Sequence, residues 1–135
     1  MATATLENIS RQYTDLDLNF GIHPVRKDIN KLKNEMAIIS SLKHIVLTNH
    51  YEKPFNPDFG SNVRKLLFEN LDIITASAIE REIAQSISNF EPRVKIIGVS
   101  AKPDYDNNGF SIDMQFYILN QTAPISISFL LERIR

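Results

Sequence analysis

Apolar and polar residues alternate along the last third of the chain and recur at helical spacing through its middle. Phe110, Ile112, Met114, Phe116 and Ile118 occupy every second position of 110–119. Ile125, Ile127, Phe129 and Leu131 do the same in 125–132, against Ser126, Ser128 and Glu132. Period two predicts strands with one covered face. Residues 93–101 are apolar partly on both sides, which predicts a central strand. Asn108-Gly109 and 120–124 supply the turns of an antiparallel meander. Upstream, Met36, Ile39, Leu42, Ile45 and Val46 predict a helix from an Asn34-Glu35 start to about Leu47. Val63, Leu66 and Leu67 predict a short helix behind Ser61 or Asn62. Ile79, Ile83, Ile87 and Phe90 predict a third, beginning at Thr75 or at the Ser77–Glu80 capping box. From Tyr13, the alternation of Leu16, Leu18 and Phe20 reads as an extended segment closed by Gly21 and Pro24. After it, Val25, Ile29 and Leu32 could open a long helix, but an edge strand over 27–33 is preferred because Asn34-Glu35 makes a good cap. Residues 1–12 read as a flexible arm and 13–135 as a single domain. The fold class is α+β, about three helices on a small, mainly antiparallel sheet.

Between the first two helices, residues 48–60 hold Pro54, Pro57 and Gly60, which forbid regular structure. Tyr51, Phe55 and Phe59 are too apolar for a loose surface loop. Either they cover the core or an ordered loop presents them for function.

Composition narrows the chemistry. The chain has 135 residues with a net charge of −1, and its Lys and Arg are scattered, so no footprint for nucleic acid shows. No apolar run approaches the roughly 20 residues that span a bilayer, and no signal pattern opens the chain. These features lead us to expect a soluble protein made inside the cell. Cys is absent, which removes thiolate metal sites. His23, His44 and His50 are too widely spaced to suggest zinc. No cofactor motif or nucleophile motif occurs.

The third helix must stop at Asn89-Phe90, because Pro92 lacks an N–H and disfavours helix in the residue before it. Glu91 and Arg93 flank this stiff corner on one face. Glu91 could be the proton donor of a glycosidase with Asp58 or Glu69 as its partner, but Arg93 would keep it ionised. No catalytic residue is therefore assigned. Two readings remain: a structural Glu91–Arg93 brace, or an Arg presented to another chain at low entropic cost.

The ordered series Leu47-Thr48, Glu52-Lys53-Pro54-Phe55-Asn56-Pro57-Asp58-Phe59-Gly60, Leu67-Phe68-Glu69-Asn70 and Phe90-Glu91-Pro92-Arg93 resembles the baseplate wedge, sheath-initiator family of contractile-tailed phages. The likeness runs from about Tyr13 to the C-terminus. It implies a structural protein of the virion tail, assembled in the host cytoplasm, rather than the lysozyme that members have been labelled. It implies docking of Glu91, Pro92 and Arg93 on the wedge core bundle, with Phe55, Pro57 and Phe59 as further contacts. The sheet is expected to resemble the strand-exchanging domain of tail sheath proteins. Residues 93–101, 110–119 and 125–132, Ile125, Ile127 and Phe129 among them, would form a template for the first sheath ring, whichever strand lies at its edge. Implied partners are other wedge proteins, the sheath protein and tube-initiating proteins, in a six-fold baseplate, with a monomer when isolated. Members commonly carry a glycine where this chain has His50-Tyr51. The alternatives are a muramidase and a regulator-binding module like a distant anti-adaptor relative.

Overall fold

The computed structural model describes residues 13–17, 19–119 and 121–133. Residues 1–12, expected as an arm, lie outside these, as do Leu18 and Asn120. Two compact units are present, Met1–Ile38 and Ile39–Arg135.

In the first unit, β1 (Thr14–Leu16) and β2 (Lys31–Lys33) form an antiparallel ribbon with Asp15 opposite Leu32. The extended segment expected as far as Phe20 ends at Leu16. Asp17 turns the chain, its carboxylate accepting the Asn19 N–H and its carbonyl the Phe20 N–H, and Phe20 lies at φ +51°. A tight turn over 23–28, with Lys27 at φ +52°, likewise delays β2 to Lys31. Asn34 takes a left-handed conformation (φ +51°) rather than that of a regular cap, and its carbonyl accepts the Ile38 N–H as α1 (Glu35–Leu47) begins. Ala37 and Ile38 are buried and Met36 is exposed, so the apolar stripe departs from the expected one in the first turn of the helix.

In the second unit, Leu42, Ile45 and Val46 of α1 are buried. A single turn, α2 (Val63–Leu66), precedes the long α3 (Ile73–Phe90). Helix α3 starts earlier than either expected cap. Asp72 holds the N-cap position and its carboxylate accepts the Thr75 N–H at 2.7 Å. Ile79, Ile83 and Ile87 are fully buried on the face that packs against β3 (Val94–Asp104).

The sheet order is β3–β4–β5, with β4 (Gly109–Ile118) central and β5 (Ile125–Glu132) at one margin. The expectation that 93–101 forms the central strand is corrected. Its two-sided apolar character comes from a bulge: Ile96 pairs with Phe116 and Gly98 with Gln115, leaving Ile97 as the extra residue. A bulge shifts the alternation by one, so apolar side chains fall on both faces. Strand β3 also carries Pro103, which an edge strand tolerates. Strand β4 matches its pattern, with Phe110, Ile112, Met114, Phe116 and Ile118 buried. Each CH2 so removed from water contributes about 0.8 kcal/mol, so this face and the α3 stripe make the core.

Candidate functional site

Pro92 stops α3 as its chemistry requires. The Glu91 N–H still donates to the Ile87 carbonyl, but Glu91 has left helical dihedrals (φ −125°, ψ 83°). The chain then turns through 92–93, and the Val94 N–H returns to the Glu91 carbonyl. This geometry folds Arg93 back onto Glu91. Arg93 Nε donates to Glu91 Oε1 and Nη2 to Oε2, both at 2.6 Å. A third donor, the Ser41 hydroxyl of α1, reaches Oε2 at 2.8 Å.

The Glu91 side chain is only 4% exposed, whereas Arg93 keeps 33% and Pro92 is exposed. Burial by itself pushes the Glu91 carboxyl up. Hydrogen bonds from Arg93 and Ser41, with the Arg93 charge, outweigh it and hold the carboxyl below its ordinary range. Of the two readings left open above, the brace is the one whose contacts are visible: one carboxylate ties α1, the end of α3 and the start of β3. The surface the corner offers outward is Pro92 and the accessible part of Arg93.

The loop 48–60 is closed at its base by the Ser61 N–H on the Thr48 carbonyl at 2.8 Å and the Ser61 hydroxyl on the Val46 carbonyl at 2.7 Å. Gly60 permits that closure. It lies at φ +109°, and a Cβ there would sit 2.3 Å from the Thr48 carbonyl oxygen. A second rung, the Tyr51 N–H on the Pro57 carbonyl, ties the loop across its middle. Only Phe59 acts as an internal anchor. Its ring centroid lies 5.2 Å from that of Phe90, and Lys53 Nζ sits 4.3 Å from it. Tyr51 and Phe55 point into solvent. The loop is thus seated on the residue that precedes Glu91, and Pro57 is exposed beside it.

The two margins of the sheet differ. On β3, the Ala101 N–H is taken by Glu80 of α3 at 2.8 Å. Among the described residues, no strand pairs with the outer edge of β5. Ile125, Ile127 and Phe129, on the covered side of that strand, are only half-buried, in contrast to the fully covered apolar residues of β4.

The sequence reading missed two features. Glu82, off the apolar stripe of α3, accepts the Asn62 N–H at 2.8 Å and lies 3.8 Å from His50 Nε2. Near them a groove of about 710 Å³ is lined by Leu47, Tyr51, Val63, Phe68 and Leu131, among others. No periodicity announces it, because its walls come from α1, the 48–60 loop, the α2 region and β5. Among the described residues no group of three His, Asp or Glu side chains could hold a metal ion, and no helix is long and apolar enough to cross a membrane.

Comparison with known proteins decides what the chain is. The model of the family described as baseplate wedge protein gp25 matches residues 32–123. The chain belongs to that family. A relative, baseplate wedge protein gp25 of Enterobacteria phage T4, is 30% identical over 120 residues, covering 89% of this chain and 90% of the relative. Family membership makes the chain a structural subunit of a contractile-tail baseplate.

Solved structures share the fold. A crystal structure of a putative tail lysozyme from Geobacter sulfurreducens superposes with a TM-score of 0.66 at 22% identity, over 73% of this chain and 89% of that one. A chain of the anti-feeding prophage baseplate gives 0.62 at 16% identity, over 92% and 88%. A chain of the postcontracted pyocin R2 baseplate gives 0.53 at 16%, over 88% and 99%. The His50-Tyr51 turn before the Pro-Phe loop is a place where glycine would fit. Tyr51 stands at φ +70°, a conformation that glycine adopts without penalty.

Proposed function

We propose that this wedge subunit docks in the baseplate through its Glu91-Pro92-Arg93 corner and the Phe55–Phe59 loop, and templates the first sheath ring at β5. In this reading Glu91 fixes Arg93 and Pro92 from behind, and those two meet the core bundle of neighbouring wedge proteins. The observation that carries the template role is the outer edge of β5, which no strand among the described residues pairs and where Ile125, Ile127 and Phe129 are only half-covered. An incoming strand would gain main-chain hydrogen bonds from that edge and pockets for alternate side chains. The β3 margin suits this less well, since α3 already caps it at Ala101. The likeness of this sheet to the strand-exchanging domain of sheath proteins belongs to the same proposal, as do tube-initiating proteins as further neighbours.

The role is non-enzymatic. A muramidase of the usual two-carboxylate kind needs a carboxyl that stays protonated, whereas Glu91 is held ionised by Arg93 and Ser41.

Ile127→Lys tests the template. A charge on the half-covered face of β5 should leave incorporation into baseplates intact and stop sheath polymerisation on them, scored by electron microscopy. Sheath of normal length on Ile127→Lys baseplates would rule the template out.

A further inference from the structure

We infer that Phe55 is an anchor side chain that seats in an apolar socket on a neighbouring baseplate protein; this rests on the baseplate reading above. Residues 53–56 form a tight turn in which the Asn56 N–H reaches the Lys53 carbonyl at 3.3 Å, with Pro54 second and Phe55 third. Phe55 has φ +65°, and a turn with Pro second and a positive φ third normally takes Gly or Asn there. A bulky aromatic in that place is strained, and its side chain is fully exposed at 107%. Neither the turn nor the core gains from it. Phe20 and Tyr51 also combine a positive φ with exposure, but of the three Phe55 alone is fully exposed, which marks it as the residue kept for contact with something else.

The scaffold suits an anchor. The loop is closed at Ser61–Thr48, tied across at Tyr51–Pro57, and seated by Phe59 on Phe90. Presenting the ring in one orientation reduces the ordering cost of binding. A protein socket fits better than a lipid surface. The loop carries Glu52 and Asp58 with Lys53 as its only Lys or Arg, so it lacks the basic cluster that draws a protein to anionic membranes.

The test uses Phe55→Asn, because Asn tolerates a positive φ and removes the apolar ring. Phe55→Leu serves as the conservative variant. The full chain is assembled with its companion wedge proteins, and a photo-crosslinking phenylalanine analogue at position 55 reports its neighbour. Phe55→Asn should keep or slightly raise Tm while incorporation falls at least about tenfold, the loss expected for an aromatic anchor. Phe55→Leu should recover part of it, and the crosslink should land on apolar residues of one neighbouring subunit. Normal incorporation of Phe55→Asn overturns the anchor, and if an exposed-Pro92 variant then fails to incorporate, the baseplate reading survives it. Phe55-dependent sedimentation with phosphatidylglycerol vesicles, without a protein crosslink, would overturn it in favour of a membrane contact.

Discussion

Arg93 closes on Glu91 as a two-pronged fork, two residues away in sequence and across a proline, with both hydrogen bonds at 2.6 Å. The Glu91 side chain is buried and the Arg93 side chain a third exposed, so the pair is asymmetric. Removing one partner of a buried pair leaves the other without compensation, and water reaching the Arg93 side moderates the loss. Arg93→Ala should therefore cost about 2–3 kcal/mol, below the 3–5 kcal/mol of a fully buried pair. Arg93→Lys should fall between, since an ammonium lacks the fork. Urea denaturation measures both. A loss under about 0.5 kcal/mol, the range of surface pairs, would show that the pair does not brace the fold. Because Arg93→Ala disturbs the fold as well as the surface, docking is better tested at the exposed Pro92.

The same contact makes stability depend on acid. The ordinary value for the Glu91 carboxyl is 4.5, and its folded value is lower. Above that range both folded and unfolded chains are ionised, and the stabilisation is fully present. As pH falls below about 4.5 the unfolded chain takes up the proton first, so folding loses free energy until the folded carboxyl titrates in turn. Glu91→Gln should start less stable at pH 7 and decline less steeply between about pH 5 and 3. Tm measured across that range gives the comparison. Parallel slopes would mean that other carboxylates govern the acid limb.

Helix α3 offers a smaller test. Asp72 accepts the Thr75 N–H, which also holds its own carboxyl below the ordinary range. Asp72→Ala should lower Tm by roughly 3–5 °C, and Asp72→Asn, which can still cap, by less. Circular dichroism melts would detect the difference. Equal melting of wild type and Asp72→Ala would mean that the first turn is held by something else.

How far these features were legible in the sequence follows from the physics of each. Strands β4 and β5 were readable because one covered face imposes period two, and Pro92 ended α3 because its ring leaves no alternative. The start of α3 was hidden by Ile73 and Ile74, apolar residues that lie exposed in the first turn and mask the Asp72 cap. The bulge at Ile97 disguised an edge strand as a central one. At the candidate site, the nearness of Glu91 and Arg93 followed from their spacing. The burial of Glu91 did not, because it depends on Ser41, fifty residues upstream. Phe59 and Phe55 look equivalent in sequence. Only the backbone turns one inward and the other out.

That backbone supplies the last prediction, in which two substitutions in one loop act in opposite directions. Gly60 lies at φ +109° with the Thr48 carbonyl oxygen where a Cβ would go, so Gly60→Ala should cost at least about 2 kcal/mol through strain and a displaced loop base. Tyr51 has a left-handed φ of +70° and an exposed ring. Tyr51→Gly removes the strain and adds entropy to the unfolded chain, so it should range from neutral to about 1 kcal/mol stabilising. Hydrogen exchange of the Ser61 amide, which donates to Thr48, should quicken in Gly60→Ala and stay slow in Tyr51→Gly. Rapid exchange in both would mean that the loop is held by its aromatic contacts at Phe59 rather than by the backbone closure at its base.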